Sequence, residues 1–412
     1  MIAYERTTLA NGLTVAVNRD RASKLAAVNI LYKVGARNEN PARTGFAHLF
    51  EHLMFRGTRE VPNFDLPVQM ASGDNNAFTN NDYTDFYITL PKDNLETALW
   101  LESDRMEGLE ITPEKLAAEK KVVIEEFRQR YLNQPYGDQT MLLRALAYKV
   151  HPYRWAAIGL TTEHIASASP DDVGEFYRTH YHPSNAILSI SADMEEERML
   201  ELAEKWFGGL PDTPRPAAPI PQEPPQEAPR REEVERDEPA TTVTVAYRMG
   251  TRTSPDFYTA DLVSDLLSGG DSGRLYRHLV KERRLLSSVN AYVTGDLDPG
   301  LFVFTGQLLP GVAPEAAEAA FREEIEALRT DPISQYETEK VKNKFDANTL
   351  FGELNVMNKA MNLGFYEMLG DLPLINGEVA RYRAVSDEDI RAFCRSTLRP
   401  ENASTLIYKA RK

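Results

Sequence analysis

Residues 44–58 read Thr44-Gly45-Phe46-Ala47-His48-Leu49-Phe50-Glu51-His52-Leu53-Met54-Phe55-Arg56-Gly57-Thr58. This stretch is predicted to be one short helix, because Phe46, Leu49 and Leu53 recur at helical spacing. Thr44 is the expected N-cap, and Gly57 is the expected left-handed residue beyond the C-terminus. The remaining chain is most easily interpreted as a scaffold around this helix.

Two histidines and a carboxylate lie on this predicted helix. His48 and His52 are four residues apart, so their imidazoles project from one face, and Glu51 lies on the same flank. The pattern H-x-x-E-H reverses the commoner H-E-x-x-H helix and is the signature of inverzincins. Two imidazoles form half of a tetrahedral zinc site, and the glutamate can take a proton from bound water. The alternative is a polar helix face without metal, but the apolar flanks disfavour it, because burying ionisable groups without a partner is costly.

Composition limits the class of protein. A chain of 412 residues exceeds one comfortable core, which predicts two domains of about 200 residues each. The net charge of −15 argues against nucleic acid as a partner, and no apolar run approaches the roughly 18 residues that cross a bilayer. The single cysteine, Cys394, excludes an intramolecular disulfide. The N-terminus lacks a signal-peptide pattern, so a cytoplasmic location is expected, or a periplasmic one if a leader was removed.

Local patterns predict alternating strands and helices. Strands are expected after Asn11-Gly12 and at 25–34, 85–90 and 186–191, and helices at 94–106, 113–131 and 170–181. Eight of the nineteen residues from Pro211 to Pro229 are proline, so this segment is predicted to be an extended strap. The predicted domains are a zinc-bearing domain at 1–210, a proline-rich linker at 211–238 and a C-terminal domain at 239–412.

The second half of the chain repeats the first. Residues 169–186 match residues 386–403 at a constant shift of 217, and Tyr32-Lys33-Val34-Gly35-Ala36-Arg37 resembles Tyr247-Arg248-Met249-Gly250-Thr251-Arg252 at a shift of 215. The expected fold class is therefore α+β, with two homologous sandwich-like domains, each an antiparallel-rich sheet with helices on one side. The shift places Val263, Leu266 and Leu267 where the first copy has its histidines and glutamate. One metal site per chain is expected.

A third protein ligand is needed, and the predicted helix at 113–131 offers candidates. Thr112 is its expected N-cap, with proline next in sequence. Glu119 and Glu126 lie seven residues apart on one face, whereas Glu125 points about 100° away. One of the aligned pair could bind the metal and the other could support a histidine. An equally acceptable interpretation from periodicity is a solvated acidic face paired with Lys120 and Lys121.

These motifs together resemble the pitrilysin/insulinase family of zinc metallopeptidases, in the branch with mitochondrial processing peptidase and short bacterial homologues. The similarity runs from Asn11-Gly12-Leu13 through His182-Pro183 and into residues 268–276. The resemblance implies zinc ligands at His48, His52 and Glu126, a general base at Glu51 and a supporting carboxylate at Glu119. It also implies that an edge strand binds the substrate through the residues Asn76, Ala77, Phe78 and Thr79. By itself this last segment is read as a polar turn before a strand.

The resemblance further implies hydrolysis of short or unfolded peptides inside a chamber of two half-shells. One departure concerns the second domain, where the family usually has Arg and, seven residues later, Tyr. Here Val280 and Ser287 take those positions, with Arg283 and Arg284 as nearby alternatives. We therefore expect a heterodimer whose homologous partner supplies Arg and Tyr, with a homodimer as the other option. Rival interpretations are a non-catalytic scaffold and a module that binds peptides without cutting them.

Overall fold

The computed structural model describes residues 1–411. The strands are β1 (Glu5–Thr8), β2 (Thr14–Arg19), β3 (Leu25–Tyr32), β4 (Asp74–Thr79), β5 (Thr84–Pro91), β6 (Ala186–Ala192), β7 (Arg230–Arg236), β8 (Thr242–Arg248), β9 (Leu286–Val293), β10 (Leu301–Leu308) and β11 (Ala403–Ala410). The helices are α1 (Phe46–Leu53), α2 (Asp65–Met70), α3 (Leu95–Glu107), α4 (Pro113–Phe127), α5 (Gln139–Ala147), α6 (Thr162–Ala166), α7 (Pro170–His180), α8 (Glu196–Phe207), α9 (Asp256–Ser268), α10 (Pro314–Thr330), α11 (Gln335–Gly352), α12 (Val356–Met368), α13 (Leu374–Ala384) and α14 (Asp387–Ser396).

These elements form two compact units, and each unit takes chain from both halves of the sequence. Unit 1 comprises Met1–Gln129, Trp155–Pro221 and Leu350–Gly377. Unit 2 comprises Arg130–Arg154, Gln222–Thr349 and Glu378–Lys412. This division differs from the predicted one because a segment of each half packs with the other half. Helix α12 packs on β2, β3 and β6 of unit 1, and α5 packs on β7, β8 and β11 of unit 2.

Unit 1 is built on a six-stranded sheet in the order β1-β2-β6-β3-β5-β4. All neighbours are antiparallel except β2 and β6, so the expected antiparallel-rich sheet is present. Helix α3 packs on β3 and β5. Helix α12 covers the opposite face, where a side chain at Gly364 would meet Asn29 and Ser189. The sheet is thus covered on two faces, which adds a layer to the one-sided arrangement expected from sequence.

Unit 2 has the same organisation around a five-stranded sheet in the order β7-β11-β8-β10-β9. Its one parallel pair, β7 with β11, corresponds to β2 with β6. The apolar faces of β8 and β10 pack against α9, α10 and α14 in one buried cluster. The α+β fold with an internal duplication is therefore confirmed.

The predicted linker is extended only in part. Residues 211–227 form no helix or strand, as the prolines predict. The last part of the predicted range instead forms β7, whose alternation of half-buried and exposed residues is typical of an edge strand. Within residues 1–411, no helix is both long and apolar enough to span a bilayer.

Candidate metal centre

The N-terminus of α1 is not capped as the sequence predicts. Gly45 is the N-cap, with a left-handed φ of 89°, and a Cβ there would lie 2.5 Å from the carbonyl oxygen of Ile158. The hydroxyl of Thr44 instead accepts a hydrogen bond from the N–H of Leu160. The orphan N–H groups of the helix are bound by the buried carboxylate of Glu39, which accepts from Gly45 and Ala47 at 2.8 and 2.9 Å. The Thr44 prediction was wrong because the cap comes from outside the helix.

Aromatic packing holds α1 in place. The ring of Phe50 stacks on Phe176 and Tyr181 at centroid distances of 5.4 and 5.0 Å. With this apolar side turned inward, His48 and His52 share the flank that faces α4, and their rings are 4.9 Å apart. Beyond the helix, Gly57 has a φ of 84°, so the predicted left-handed residue is confirmed.

Helix α4 supplies carboxylates to the same place. Thr112 caps it by accepting a hydrogen bond from the N–H of Lys115, as predicted. The buried stripe of α4 includes Glu119, whose side chain is 1% exposed. Glu125 is more than half exposed and pairs with Arg128. The alternative of a solvated acidic face therefore fails for Glu119.

Three predicted ligands converge into one group. One donor atom each from His48, His52 and Glu126 lies within 4.8 Å of the others. Glu126 Oε1 is 3.6 Å from His48 Nε2, and Glu126 Oε2 is 3.2 Å from His52 Nε2. Two imidazoles and one carboxylate are the donor set of catalytic zinc sites, which leave a fourth position open. The group fits zinc in both its chemistry and its compactness.

The other nitrogen of His52 faces a different carboxylate. His52 Nδ1 lies 3.6 Å from Glu119 Oε2, while Glu119 Oε1 lies 2.6 Å from Arg56 Nε. Burial lowers the pKa of His52, but its contacts with the carboxylates of Glu119 and Glu126 outweigh burial and raise the pKa to about 9. Burial favours the neutral form of Glu119, but contacts with His52 and Arg56 outweigh it and lower the pKa of this carboxyl. Both pKa shifts have the same cause, an imidazole that lies between two carboxylates.

Glu51 and the predicted substrate segment belong to the same unit. Glu51 is half-buried on α1. Burial raises the pKa of Tyr87, and the charges of Asp85, Asp74 and Glu51 add to the rise. Tyr87 pairs with Asn76 of β4, which packs against α1. Strand β4 therefore contains all four predicted substrate residues, and it is the last strand of its sheet within residues 1–411, with β5 as its one neighbour. The segment is an edge strand rather than the polar turn expected without the resemblance.

The second copy has no counterpart of this group. Val263, Leu266 and Leu267 lie buried in α9. Among residues 1–411 the group on α1 and α4 is the one cluster of three His, Cys, Asp or Glu side chains with metal-binding spacing. One metal site per chain stays a prediction, and this group is the place where it is expected.

The positions expected to hold Arg and Tyr are occupied by a valine and a serine. Val280 packs against the core of unit 2, and the exposed Ser287 donates a hydrogen bond to Gln307 Oε1 at 3.0 Å. Of the nearby arginines, Arg283 forms an ion pair with Glu323, and Arg284 has a positive φ of 51°. Neither position 280 nor 287 carries a charged or phenolic donor.

Two residues of this centre were missed by the sequence analysis. Arg56 lies within the opening stretch, but nothing in the spacing shows that its guanidinium reaches Glu119. Glu39 precedes α1 by several residues, and a glutamate in a loop carries no local signal for capping a helix. Only the folded chain brings either side chain to its partner.

Comparison with known protein families and structures gives a consistent result. A family model described as "Insulinase (Peptidase family M16)" matches residues 14–155, which include α1 and α4. A second model, described as "Peptidase M16 inactive domain", matches residues 167–345. The second match covers α9, where Val263, Leu266 and Leu267 take the positions of His48, Glu51 and His52.

Individual proteins resemble the chain over most of its length. A protein named zinc protease PqqE, from Helicobacter pylori, is 31% identical over 88% of this chain and 86% of its own. A probable mitochondrial-processing peptidase subunit beta from Schizosaccharomyces pombe is 26% identical over 72% of this chain and 68% of its own. The crystal structure of a protease from Helicobacter pylori superposes with a TM-score of 0.94 at 28% identity, covering 99% of this chain and 100% of that one.

Proposed function

The chain belongs to the insulinase family, peptidase family M16, and we propose that it is a zinc-dependent endopeptidase of short or unfolded peptides. The observation that carries the proposal is the convergence of His48, His52 and Glu126 from two helices into one compact donor set. A scaffold protein has no need of such a set. Relatives named zinc proteases add support.

In this proposal His48, His52 and Glu126 would hold one zinc ion per chain. Zinc, when bound, lowers the pKa of its water towards about 7 and polarises a peptide carbonyl. Glu51 is the general base: one of its carboxylate oxygens takes the proton of the attacking water and later donates it to the leaving amine. Glu119 Oε2 lies 3.6 Å from His52 Nδ1 and would accept its proton, so that Nε2 would be the nitrogen that binds zinc.

The substrate would lie along β4. An edge strand offers one row of backbone N–H and C=O groups, so an extended peptide can add to the sheet beside Asn76–Thr79. Main-chain hydrogen bonds recognise conformation more than sequence. This predicts broad side-chain tolerance and a requirement for an unfolded segment.

The test compares the purified chain with its Glu51→Gln variant on an unfolded peptide, with products identified by mass spectrometry. We expect new peptide termini from the wild type, their loss with a chelator, and a fall in kcat of about 10²–10⁴ in the variant with zinc content unchanged. Full zinc occupancy without new termini, alone or with a homologous subunit, would favour the scaffold. Chelator-insensitive peptide affinity without cleavage would favour the peptide-binding module.

The proposal includes a second subunit. Val280 and Ser287 cannot supply a charge-assisted hydrogen bond to a developing oxyanion, a contribution often worth about 10²–10³ in rate. A homologous chain carrying Arg and Tyr would complete the site, and one similar protein is named as a subunit. Mixing the chain with the product of its neighbouring gene should raise kcat/KM by that order. Full activity of the isolated chain, as a monomer, would contradict this part.

A cytoplasmic location, as expected from the sequence, stays part of the proposal. Cell fractionation with an antibody to the chain tests it. Recovery in the periplasmic fraction would contradict it.

A further inference from the structure

Arg56 is the residue that links the end of α1 to the buried carboxylate of α4. It follows His52 by four residues, just beyond the helix, and its Nε lies 2.6 Å from Glu119 Oε1. The other oxygen of the same carboxylate faces His52 Nδ1. The order of contacts is therefore Arg56, Glu119, His52, and then the metal position at His52 Nε2.

Glu119 needs a cationic partner that persists. Its side chain is 1% exposed, and a buried carboxylate is stable only when it is paired and hydrogen-bonded. His52, the other side chain at this carboxylate, is itself a proposed zinc ligand, so Arg56 is the partner that is not shared with the metal position. A guanidinium keeps its charge at any physiological pH. Arg56 is the partner whose charge does not depend on the metal.

We propose that Arg56 is a positioning residue of the metal centre, which acts through Glu119 to hold His52 in its zinc-binding orientation. The inference rests on the proposed zinc site. Arg56 binds one oxygen of Glu119 and thereby holds the other oxygen towards His52 Nδ1. The contact with Glu119 in turn fixes both the tautomer and the ring plane of His52. The ion pair of Arg56 is with Glu119 and not with one of the three proposed ligands.

The side chain of Arg56 is half exposed, so substitution should leave the fold intact. The experiment measures zinc affinity of the full chain by competition with a chromophoric chelator. We expect about tenfold weaker zinc binding in Arg56→Gln, the lower end of what residues behind a ligand usually contribute. Arg56→Lys keeps the charge and should recover most of the affinity. The matched control is Arg59→Gln, an exposed arginine three residues further on, which should bind zinc as the wild type does.

A double-mutant cycle separates positioning from a general charge effect. If Arg56 acts through Glu119, then Arg56→Gln should weaken zinc binding no further in a Glu119→Gln background. Three results would each overturn the inference. The first is an equal loss of zinc affinity in Arg56→Gln and Arg59→Gln, and the second is additive losses of zinc affinity in the cycle. The third is an Arg56→Gln zinc affinity within about twofold of the wild type. A wild-type chain that binds no zinc would instead refute the proposed function itself. The two failures are thus distinguishable.

Discussion

The carboxyl group of Glu39 accepts a hydrogen bond of 2.9 Å from the backbone N–H of Ala47, the residue just before the first histidine of the proposed metal centre. Its other oxygen accepts a hydrogen bond from Gly45. The side chain of Glu39 is buried, so water cannot replace either bond. The start of α1, and with it the position of His48, therefore depends on a residue outside the helix.

Replacing Glu39 with Gln should destabilise the metal-free chain. The neutral carboxyl of Glu39 keeps acceptor capacity on both oxygens, whereas the amide of Gln places an NH2 group against a backbone N–H, which leaves a buried donor unsatisfied at a cost of about 1–3 kcal/mol. The free energy of unfolding is measured by denaturant titration after zinc removal. The control is Glu60→Gln, because Glu60 is exposed. A change for Glu39→Gln within about 0.5 kcal/mol, the usual range for surface substitutions, would show that the cap is dispensable.

The same carboxyl predicts a pH dependence. Burial raises the pKa of Glu39 from 4.5 to about 8, although hydrogen bonds from Gly45 and Ala47 oppose the rise. Between these values the folded chain binds a proton that the unfolded chain has lost, so stability falls as pH rises, by up to about 1.4 kcal/mol per pH unit from this group. The wild type should lose stability from pH 5 to 8 more steeply than Glu39→Gln does. Parallel profiles for the two proteins would disprove this assignment.

Zinc binding should release a proton from His52. With a pKa of about 9, this imidazole is protonated in the metal-free chain at pH 8, and a zinc ligand must be neutral. Isothermal titration calorimetry in buffers of different ionisation enthalpy should detect about one proton from His52 for each zinc bound. Glu119→Gln removes a carboxylate that raises the pKa, so fewer protons should be released at pH 8. Glu125→Gln, on the exposed side of α4, is the matched control. Equal proton release from all three proteins would contradict the assignment.

If the substrate adds to β4 as a further strand, changes to the substrate's backbone should have effects on KM that alternate along the peptide. In an extended peptide, every second N–H points towards the neighbouring strand. Substrate peptides methylated at one backbone nitrogen at a time should therefore alternate between unchanged and raised KM along the bound segment, while side-chain substitutions have weaker effects. A smooth profile without alternation would argue against pairing with Asn76–Thr79.

The sequence predicts the local features of this centre well because they depend on short-range spacing. The i,i+4 histidines, the capped start of α4 at Thr112 and the left-handed Gly57 follow from helix geometry alone. The internal repeat likewise predicts the paired sheets and the loss of ligands in α9. Such features need no knowledge of distant contacts.

The remaining features depend on contacts between residues far apart in the sequence. Nothing local shows that α12 leaves its own half to cover the first sheet, because its apolar positions would suit either sheet. The contact of Arg56 with Glu119 likewise joins two distant positions. The cap from Glu39 joins residues close in sequence, but it depends on how the loop before α1 folds. Periodicity could align Glu119 with Glu126 but could not decide whether their face was solvated, and only the packing of α4 on α1 does so.

The zinc content of the purified chain and of two neighbouring variants tests the proposed metal site most directly. We expect about one zinc per wild-type chain, little or none in Glu126→Gln because a ligand is lost, and full occupancy in Glu125→Gln. Equal zinc in Glu126→Gln and the wild type, or no zinc in a folded wild-type chain supplied with the metal, would contradict the central claim that His48, His52 and Glu126 form the metal site.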